Sequence, residues 1–154
     1  MTKNMKQQSQ AGFLMAKIRQ VSGRIFERML NQYGIEINSA QGRIMFALWQ
    51  ADGISINELA QKTQLKKSTL TSMLDRLEKM GYLRRRRCDK DRRIIRIFRT
   101  KKDKSLERKY AELSEEITRL YFKGFSKKEI ARFEKNLEKI LNNLVEYESR
   151  LEGK

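Results

Sequence analysis

A cluster of arginines is the part of this sequence best suited to chemistry. Residues 83–100 read LRRRRCDKDRRIIRIFRT, which places nine basic residues, two aspartates and a single cysteine in eighteen positions. Guanidinium groups bind phosphates and carboxylates, and positive neighbours lower the pKa of a thiol. Three interpretations therefore compete: a disordered charge run, a redox or metal site around Cys88, and a folded surface that contacts a polyanion.

The positive charge is concentrated in one part of the chain. The 154 residues include 35 Lys and Arg and 19 Asp and Glu, a net charge of +16. Between Lys62 and Lys104 there are 17 basic and five acidic residues, which leaves +12 in under a third of the chain. Charge collected in this way is typical of a surface that binds nucleic acid.

The residue types exclude most catalytic chemistry. The chain has no histidine, which excludes a His-based triad, a His general base and His-rich zinc sites, and it has no Gly-rich phosphate loop. We expect no catalytic residues, no metal and no cofactor. No apolar run approaches the length of about 20 residues that a membrane span needs, and the polar opening MTKNMKQQSQ does not resemble a signal peptide. We expect a cytoplasmic protein without membrane contacts, in keeping with its one cysteine.

The surrounding elements are predicted to be helices. There is no proline, and apolar residues at three- and four-residue steps predict six helices, over about 12–33, 39–51, 56–62, 66–80, 101–122 and 127–144. Gly34 and Gly81 are the predicted stops of the first and fourth helices. The predicted N-caps and capping boxes are Asn38 or Ser39, Ser55 with Glu58, Thr100 with Asp103, and Ser126 with Glu129.

The arginine cluster itself predicts a hairpin. Residues 93–99 alternate with a period of two, which indicates a strand, and residues 82–86 supply a partner strand with Leu83 turned inward. Residues 88–92 form the tip, because aspartates favour turns. The third and fourth helices make a helix-turn-helix, and the hairpin that follows them is its wing.

The solvent side of the fourth helix suits DNA. It carries lysines near the helix N-terminus, which favour phosphate contacts, and small hydroxyl residues that can bond to phosphates or base edges. An ordinary solvated helix face is the alternative. These residues are Lys66, Lys67, Ser68, Thr69, Thr71, Ser72, Arg76 and Lys79.

In this order, the segments resemble the MarR family of bacterial winged-helix transcription regulators. INSAQGRIMFAL at 37–48 is similar to the opening of the family's second helix, ISINELAQKTQLKKSTLTSMLDRLEKMGYLRR at 54–85 to its helix-turn-helix, and DKDRR at 89–93 to its wing tip. The resemblance implies a mainly α fold with a small β-hairpin wing. It also implies a winged helix-turn-helix at 37–100 between an N-terminal dimerisation helix at 1–36 and C-terminal dimerisation helices at 101–154.

The resemblance further implies a homodimer that binds a pseudo-palindromic operator in double-stranded DNA. Such a protein is usually a repressor, which a small aromatic or lipophilic anion releases. By position, Ser68, Thr69, Thr71, Ser72 and Arg76 would read the major groove, while Arg86, Lys90, Arg92 and Arg93 would serve the wing. Asp89 or Asp91 would hold a wing arginine in place.

Two departures from the family pattern stand out. The family's wing strand commonly ends in Leu-Thr-x-x-Gly, whereas this chain has Arg99 and Asp103 at the first and last of these positions. Arg99, together with the arginine cluster, leads us to expect unusually strong phosphate affinity. The family's glycine before the recognition turn is also replaced, with Lys62-Thr63-Gln64 in its place.

Several alternatives remain open. A redox-switched wing competes with an incidental exposed thiol at Cys88. The apolar stripes of the first, fifth and sixth helices indicate a dimer interface, with a self-contained bundle as the alternative. A charge-driven, non-specific nucleoid or architectural protein competes with an operator-specific regulator, whereas an enzyme acting on nucleic acid lacks an acid/base cluster. An effector pocket at a domain junction would be lined by Phe13, Met29, Met45, Phe46 and Trp49, which otherwise are plain core.

Overall fold

The computed structural model of the protein describes residues 9–153, so most of the polar opening lies outside the described residues. The elements are α1 Ala11–Gln32, α2 Ser39–Gln50, α3 Ile56–Thr63, α4 Lys67–Lys79, β1 Leu83–Arg87, β2 Ile95–Arg99, α5 Asp103–Tyr121 and α6 Lys127–Glu152. This arrangement confirms the predicted mainly α fold with a hairpin wing. None of the helices in the described range is long and apolar enough to cross a membrane. The chain divides within α5 into two compact units, one ending at Ser114 and one beginning at Glu115.

The first unit is built around one apolar core. Side chains from the end of α1, from α2–α5 and from both strands contribute to it. The apolar stripe of α4 is buried at Leu70, Leu74 and Leu77, so the opposite face of this helix is turned toward solvent. The largest fully buried side chains are Leu30, Ile37, Ile44, Met45, Leu48, Leu59, Leu70, Leu74, Leu77, Leu83, Ile97 and Leu113.

Side-chain caps set three of the helix starts. Ser55 caps α3, where its hydroxyl accepts from the amide of Glu58 at 3.1 Å. Asn38, not Ser39, caps α2: its side chain accepts from the amide of Gln41 at 2.8 Å, and the Gln41 side chain accepts from the amide of Asn38 at 3.0 Å. The same reciprocal box joins Ser126 and Glu129 at the start of α6. These capping interactions satisfy amides that have no partner inside the helix.

The predicted cap of the fifth helix is wrong. This helix begins at Asp103 and not directly after Thr100, whose hydroxyl donates to the carbonyl oxygen of Gly81 at 2.6 Å. The carboxylate of Asp103 is fully buried and accepts from the indole N–H of Trp49 at 2.7 Å and from Nε of Arg99 at 2.6 Å. Both side chains of the predicted capping box therefore bond to other residues: Thr100 to Gly81, and Asp103 to Trp49 and Arg99.

The turn between α3 and α4 contains a strained residue. Gln64 has φ of 57°, in the left-handed region that a side chain makes unfavourable by about 1 kcal/mol or more. Its side-chain amide donates to the carbonyl oxygen of Gln61 at 2.9 Å. The turn that usually contains a glycine is thus kept here with a glutamine.

The three stripes assigned to a dimer interface do not behave alike. On α5, Leu106, Tyr110, Leu113 and Ile117 are buried within the chain, whereas Leu120 at the end of the predicted stripe is 53% exposed. In contrast, α6 has no buried residue. On α1 and α6, the large exposed apolar side chains are Phe13, Leu14, Met15, Ile18, Val21, Phe133, Leu137, Leu141, Leu144, Val145, Tyr147 and Leu151.

Candidate nucleic-acid interface

The recognition helix α4 presents a polar face beside an uncapped N-terminus. Lys66 is its N-cap residue and makes no side-chain bond to the first turn, so the amides there have no side-chain acceptor. A helix N-terminus in this state attracts anions through its free N–H groups and its dipole. All eight positions predicted on the solvent side are exposed: Lys66, Lys67, Ser68, Thr69, Thr71, Ser72, Arg76 and Lys79.

The hairpin follows α4 directly and is antiparallel. Gly81 (φ 86°) ends the helix by donating its amide to the carbonyl oxygen of Glu78 at 3.0 Å. The register pairs Leu83 with Arg99 and Arg85 with Ile97. Each strand therefore has one side toward the core, marked by buried Leu83 and Ile97, and one side away from it. The first strand lies one residue later than predicted, and the tip is longer, at residues 88–94.

An ion-pair cluster fastens the hairpin to the recognition helix. The Arg85 guanidinium lies 2.5 Å from a carboxylate oxygen of Asp75 and 2.7 Å from one of Glu78. The backbone amide of Arg85 also donates to Glu78 at 3.1 Å, and this bond is the main cause of the lowered pKa of the Glu78 carboxyl. Burial opposes the charge on Arg85, but its two acidic partners outweigh burial and raise the pKa of Arg85.

Sequence reasoning missed this cluster. Two sequence patterns could have indicated it. Arg85 is two residues from Leu83 and therefore lies on the inward side of β1. Asp75 and Glu78 are three residues apart and therefore share one face of the helix. What the sequence lacks is the register that brings these two patterns together.

At the wing tip, one of the two candidate aspartates holds an arginine. The Asp91 carboxylate accepts from the backbone amide of Arg93 at 3.1 Å and from its guanidinium at 3.0 Å, and the guanidinium lowers the pKa of the Asp91 carboxyl. Among residues 9–153, Asp89 makes no such bond. The Arg93 side chain is 90% exposed despite this contact. Arg87 donates to the carbonyl oxygen of Arg92 at 2.9 Å, and the Arg92 side chain is exposed.

Arg99 is not available to phosphates in the way the sequence suggests. Its guanidinium is bonded to the buried Asp103 and to Glu107, and its backbone amide donates to Asp52 at 2.8 Å. The carboxylates of Asp103 and Glu107 raise the pKa of Arg99 against the effect of burial. The side chain is only 22% exposed. The expectation of extra phosphate affinity from this residue is therefore not supported by the geometry.

Cys88 lies half-buried at the end of β1. The amides of Asp91 and Lys90, followed by the Arg96 side chain, lower the pKa of its thiol. Nothing else in its surroundings points to a reaction partner. Within residues 9–153, no group of three or more Cys, Asp or Glu side chains is placed to hold a metal ion.

The five predicted effector residues do not share one cavity. Met29 and Met45 are buried in the core, and Phe13 is 66% exposed near the start of α1. Phe46 lines a cavity of about 440 Å³ together with Tyr110. Trp49 contacts Tyr110, with ring centroids 5.2 Å apart and ring planes inclined at 60°, and its indole N–H donates to Asp103. The remaining residues of the cavity wall are Arg43, Ala47, Gln50, Lys62, Thr63 and Ser114.

Comparison with known proteins links this arrangement to one family. The sequence model of the MarR family matches residues 37–95, which include the helix-turn-helix and most of the hairpin. The HTH-type transcriptional regulator YsmB of Bacillus subtilis is 31% identical over 75% of this chain and 78% of its own length. The HTH-type transcriptional regulator TtmR of Methylorubrum extorquens is 33% identical over 66% of this chain, but the match covers only 51% of TtmR.

Solved structures give the same result for the fold. A MarR transcriptional regulator from Methanosarcina mazei superimposes with a TM-score of 0.77 at 25% identity, over 89% of this chain and 97% of its own. A cysteine-to-serine mutant of MarR from E. coli, solved with operator DNA, superimposes with a TM-score of 0.74 at 24% identity, over 84% and 92% of the two chains. The latter likeness bears on the fold alone.

Proposed function

This chain belongs to the MarR family of transcriptional regulators, and we propose that it regulates by inserting α4 into the major groove of a specific operator. One observation carries the proposal: the exposed Lys, Ser and Thr face of α4 lies beside an arginine-rich wing that Arg85 fastens to that same helix. The helix then reads base edges, while Arg86, Lys90, Arg92 and Arg93 contact phosphates or the minor groove.

We also propose that the active form is a homodimer. The exposed apolar residues of α1 and α6 need a cover in water, and a second copy of the chain supplies one. A two-fold dimer presents two recognition helices, so the matching operator is a pseudo-palindrome with half-sites about one helical turn, or 10 base pairs, apart. Because such a regulator acts on chromosomal DNA, we propose that the protein is cytoplasmic.

We further propose that the protein is a repressor and that a small anion releases it from its operator. The cavity beside Phe46 and Tyr110 combines two aromatic walls with the cationic side chains of Arg43 and Lys62. Aromatic rings stack on flat apolar rings, and the cations suit a carboxylate or phenolate. A small aromatic acid is therefore the class of effector that this cavity supports.

Selection of bound duplexes from a random pool tests the DNA proposal. We expect one pseudo-palindromic sequence to emerge, and we expect its footprint to persist at a salt concentration that removes other duplexes. Uniform coating that disappears from all sequences at the same salt concentration would instead identify a non-specific architectural protein, to which the charge of +16 also points.

A screen of aromatic carboxylates against the selected complex tests the effector proposal. An active compound should dissociate the wild-type complex and act only at a much higher concentration on the variant Arg43→Gln. The variant Arg108→Gln, which removes an exposed cation from α5 that does not line the cavity, serves as the matched control.

A further inference from the structure

Tyr110 on α5 has a buried hydroxyl group without a hydrogen-bond partner. The residue is only 7% exposed, and its hydroxyl bonds to no group within residues 9–153. No side-chain oxygen in the described part of the chain is both fully enclosed and unpaired, so this hydroxyl opens onto the cavity that Tyr110 lines with Arg43. Burial raises the pKa of the hydroxyl to about 12 against the opposing charge of Arg43. At neutral pH the group is therefore a free proton donor.

The ring of Tyr110 is confined on its other sides. It meets Phe26 of α1 edge-on, with centroids 5.9 Å apart, and lies 5.2 Å from the ring of Trp49. Its hydroxyl end rests on the backbone of α2 at Gly42, where a methyl group would lie 2.6 Å from the hydroxyl oxygen and 2.8 Å from a ring carbon. Both distances are far shorter than a van der Waals contact. The cavity is thus the side on which the ring has room to move.

Trp49 joins this ring to the wing. Its indole N–H donates to the buried carboxylate of Asp103 at 2.7 Å, and that carboxylate accepts from Nε of Arg99 at 2.6 Å. Arg99 is the last residue of β2, so an unbroken series of contacts connects the cavity wall with the hairpin. Coupling through such a series needs an element with two arrangements. The Tyr110 hydroxyl has two: against α2, or bonded to an acceptor in the cavity.

We infer that Tyr110 transmits occupancy of the cavity to the wing. The inference rests on the proposed function, because it needs a carboxylate ligand in the cavity. A carboxylate bound by Arg43 accepts from the Tyr110 hydroxyl and draws the ring away from Gly42. Trp49 then loses its ring contact, which loosens the ion pair that fixes β2, and the wing leaves the DNA before α4 does. The two residues of that ion pair are those at which this chain departs from the family's usual wing ending, so the link belongs to this chain.

The variant Gly42→Ala tests the link without a ligand. Its methyl group pushes the Tyr110 ring in the direction that the ligand is inferred to pull it. Trp49 is the only tryptophan of the chain, so its fluorescence emission reports on the contact. We expect the variant to shift this emission and to bind the selected operator at least about fivefold more weakly. It should also lose the wing footprint, which is the hydroxyl-radical protection that Arg92→Ala removes.

The matched control is Gly23→Ala, which adds a methyl group to another helix at a point where nothing lies within 4 Å. It should keep the wild-type emission, affinity and footprint. Thermal unfolding of both variants shows whether a loss of binding is a loss of folding. A Gly42→Ala variant that no longer unfolds cooperatively leaves the decision to the variants with benzoate.

Benzoate is the probe for the ligand-dependent step. Tyr110→Phe removes a hydroxyl that has no partner, so it should unfold at the wild-type temperature and bind the operator as tightly. Releasing it from the operator should take at least about fivefold more benzoate than releasing wild type. Trp49→Phe keeps a ring beside Tyr110 but has no N–H for Asp103. It should bind benzoate as wild type does, measured by titration calorimetry, and keep its wing footprint when benzoate is bound.

The outcomes separate this inference from the proposed function. If Gly42→Ala folds and keeps the wild-type emission and wing footprint, or if benzoate removes the wing footprint of Trp49→Phe as it does for wild type, the inference is wrong while operator binding stands. If benzoate does not bind but Gly42→Ala shows both changes, the link from Tyr110 to the wing stands and the proposed effector class fails. If no operator can be selected, the proposed DNA binding fails, and an emission of Gly42→Ala equal to that of Gly23→Ala would overturn the link as well.

Discussion

Arg85 and Arg99 lie on opposite strands of the hairpin, and carboxylates from neighbouring helices hold both of them. Arg85 joins the wing to α4 through Asp75 and Glu78, while Arg99 joins it to α5 through Asp103 and Glu107. A two-stranded hairpin is marginal by itself in water. These two clusters therefore give the wing a fixed orientation.

The bond between Glu78 and Arg85 predicts a pH dependence of stability. The folded state lowers the pKa of Glu78 below its ordinary value of 4.5, so the stabilisation is fully present above that pH and is lost as the pH falls through the lowered value. Glu78→Gln should reduce the free energy of unfolding at pH 7 by about 1 kcal/mol, since both side chains are partly exposed. Urea unfolding should show this difference shrinking below pH 4.5.

An exposed pair on another helix provides the control for that measurement. Glu115 and Arg119 lie 3.9 Å apart with their side chains more than 70% exposed, and Glu115→Gln should leave the unfolding curve unchanged at both pH values. A difference between wild type and Glu78→Gln that grows in acid would contradict the assigned role.

The two residues that depart from the family's usual wing ending are bonded to each other. Arg99→Leu restores the apolar residue but leaves the buried Asp103 with less compensation, and it should cost about 3 kcal/mol of stability. Asp103→Asn keeps an acceptor for Trp49 and removes the charge. The double variant Arg99→Leu/Asp103→Asn should lose less stability than the two single variants lose together. This difference, the coupling energy, should be about 1 kcal/mol or more. Additive costs in denaturant unfolding would show that Arg99 and Asp103 do not stabilise each other.

At the scale of elements, periodicity predicted all six helices and the hairpin, because each element buries one side. The α4 stripe of Leu70, Leu74 and Leu77 is an example of such a pattern. The hydrogen-bond partners of polar side chains that can bond either locally or to distant residues were not predictable. Thr100 bonds to Gly81, which is 19 residues away, and Asp103 bonds to Trp49, which is 54 residues away. Local spacing contains no information on those distances in space.

The same limit applies to the candidate interface. The exposed face of α4 follows from the position of its apolar stripe, so its eight residues could be named in advance. The division of the wing arginines could not, since it depends on which acidic side chains the hairpin meets. Arg99 and Arg84 have the same side chain, yet Arg99 is bonded to Asp103 inside the fold, whereas Arg84 is exposed on the opposite side of the hairpin.

Helix and wing are expected to play different parts in DNA recognition. Ser72→Ala removes a hydroxyl from the exposed side of α4. If this side reads the major groove as proposed, the variant should change the preferred base at one or two operator positions. Arg92→Ala removes a wing cation, so it should leave sequence preference unchanged and lower the salt slope by about 0.9 per half-site. Selection experiments and salt titrations on both variants measure the two effects, and equal, sequence-blind losses would rule out this division.

At the scale of the whole molecule, the proposed homodimer would cover the exposed apolar side chains of α1 and α6. Leu144 on α6 is 61% exposed, so replacing it should cost little within one chain. In a dimer that buries this side of α6, Leu144→Glu places an unpaired charge in an apolar contact, which is strongly unfavourable. We expect sedimentation velocity to show a dimer for wild type and a monomer for the variant at the same concentration.

The matched control is Asn142→Glu, which introduces the same charge on nearly the opposite side of the helix and should remain a dimer.

DNA binding links this prediction to function. A dimer engages both half-sites, and its second contact is made at a high effective concentration, so Leu144→Glu should bind the full operator about 100-fold or more weakly than wild type. Its affinity for an isolated half-site should stay unchanged, because α4 and the wing belong to the other compact unit of the chain. An equal loss on full and half operators would mean that α6 supports the DNA-binding unit itself and not its pairing with a second copy.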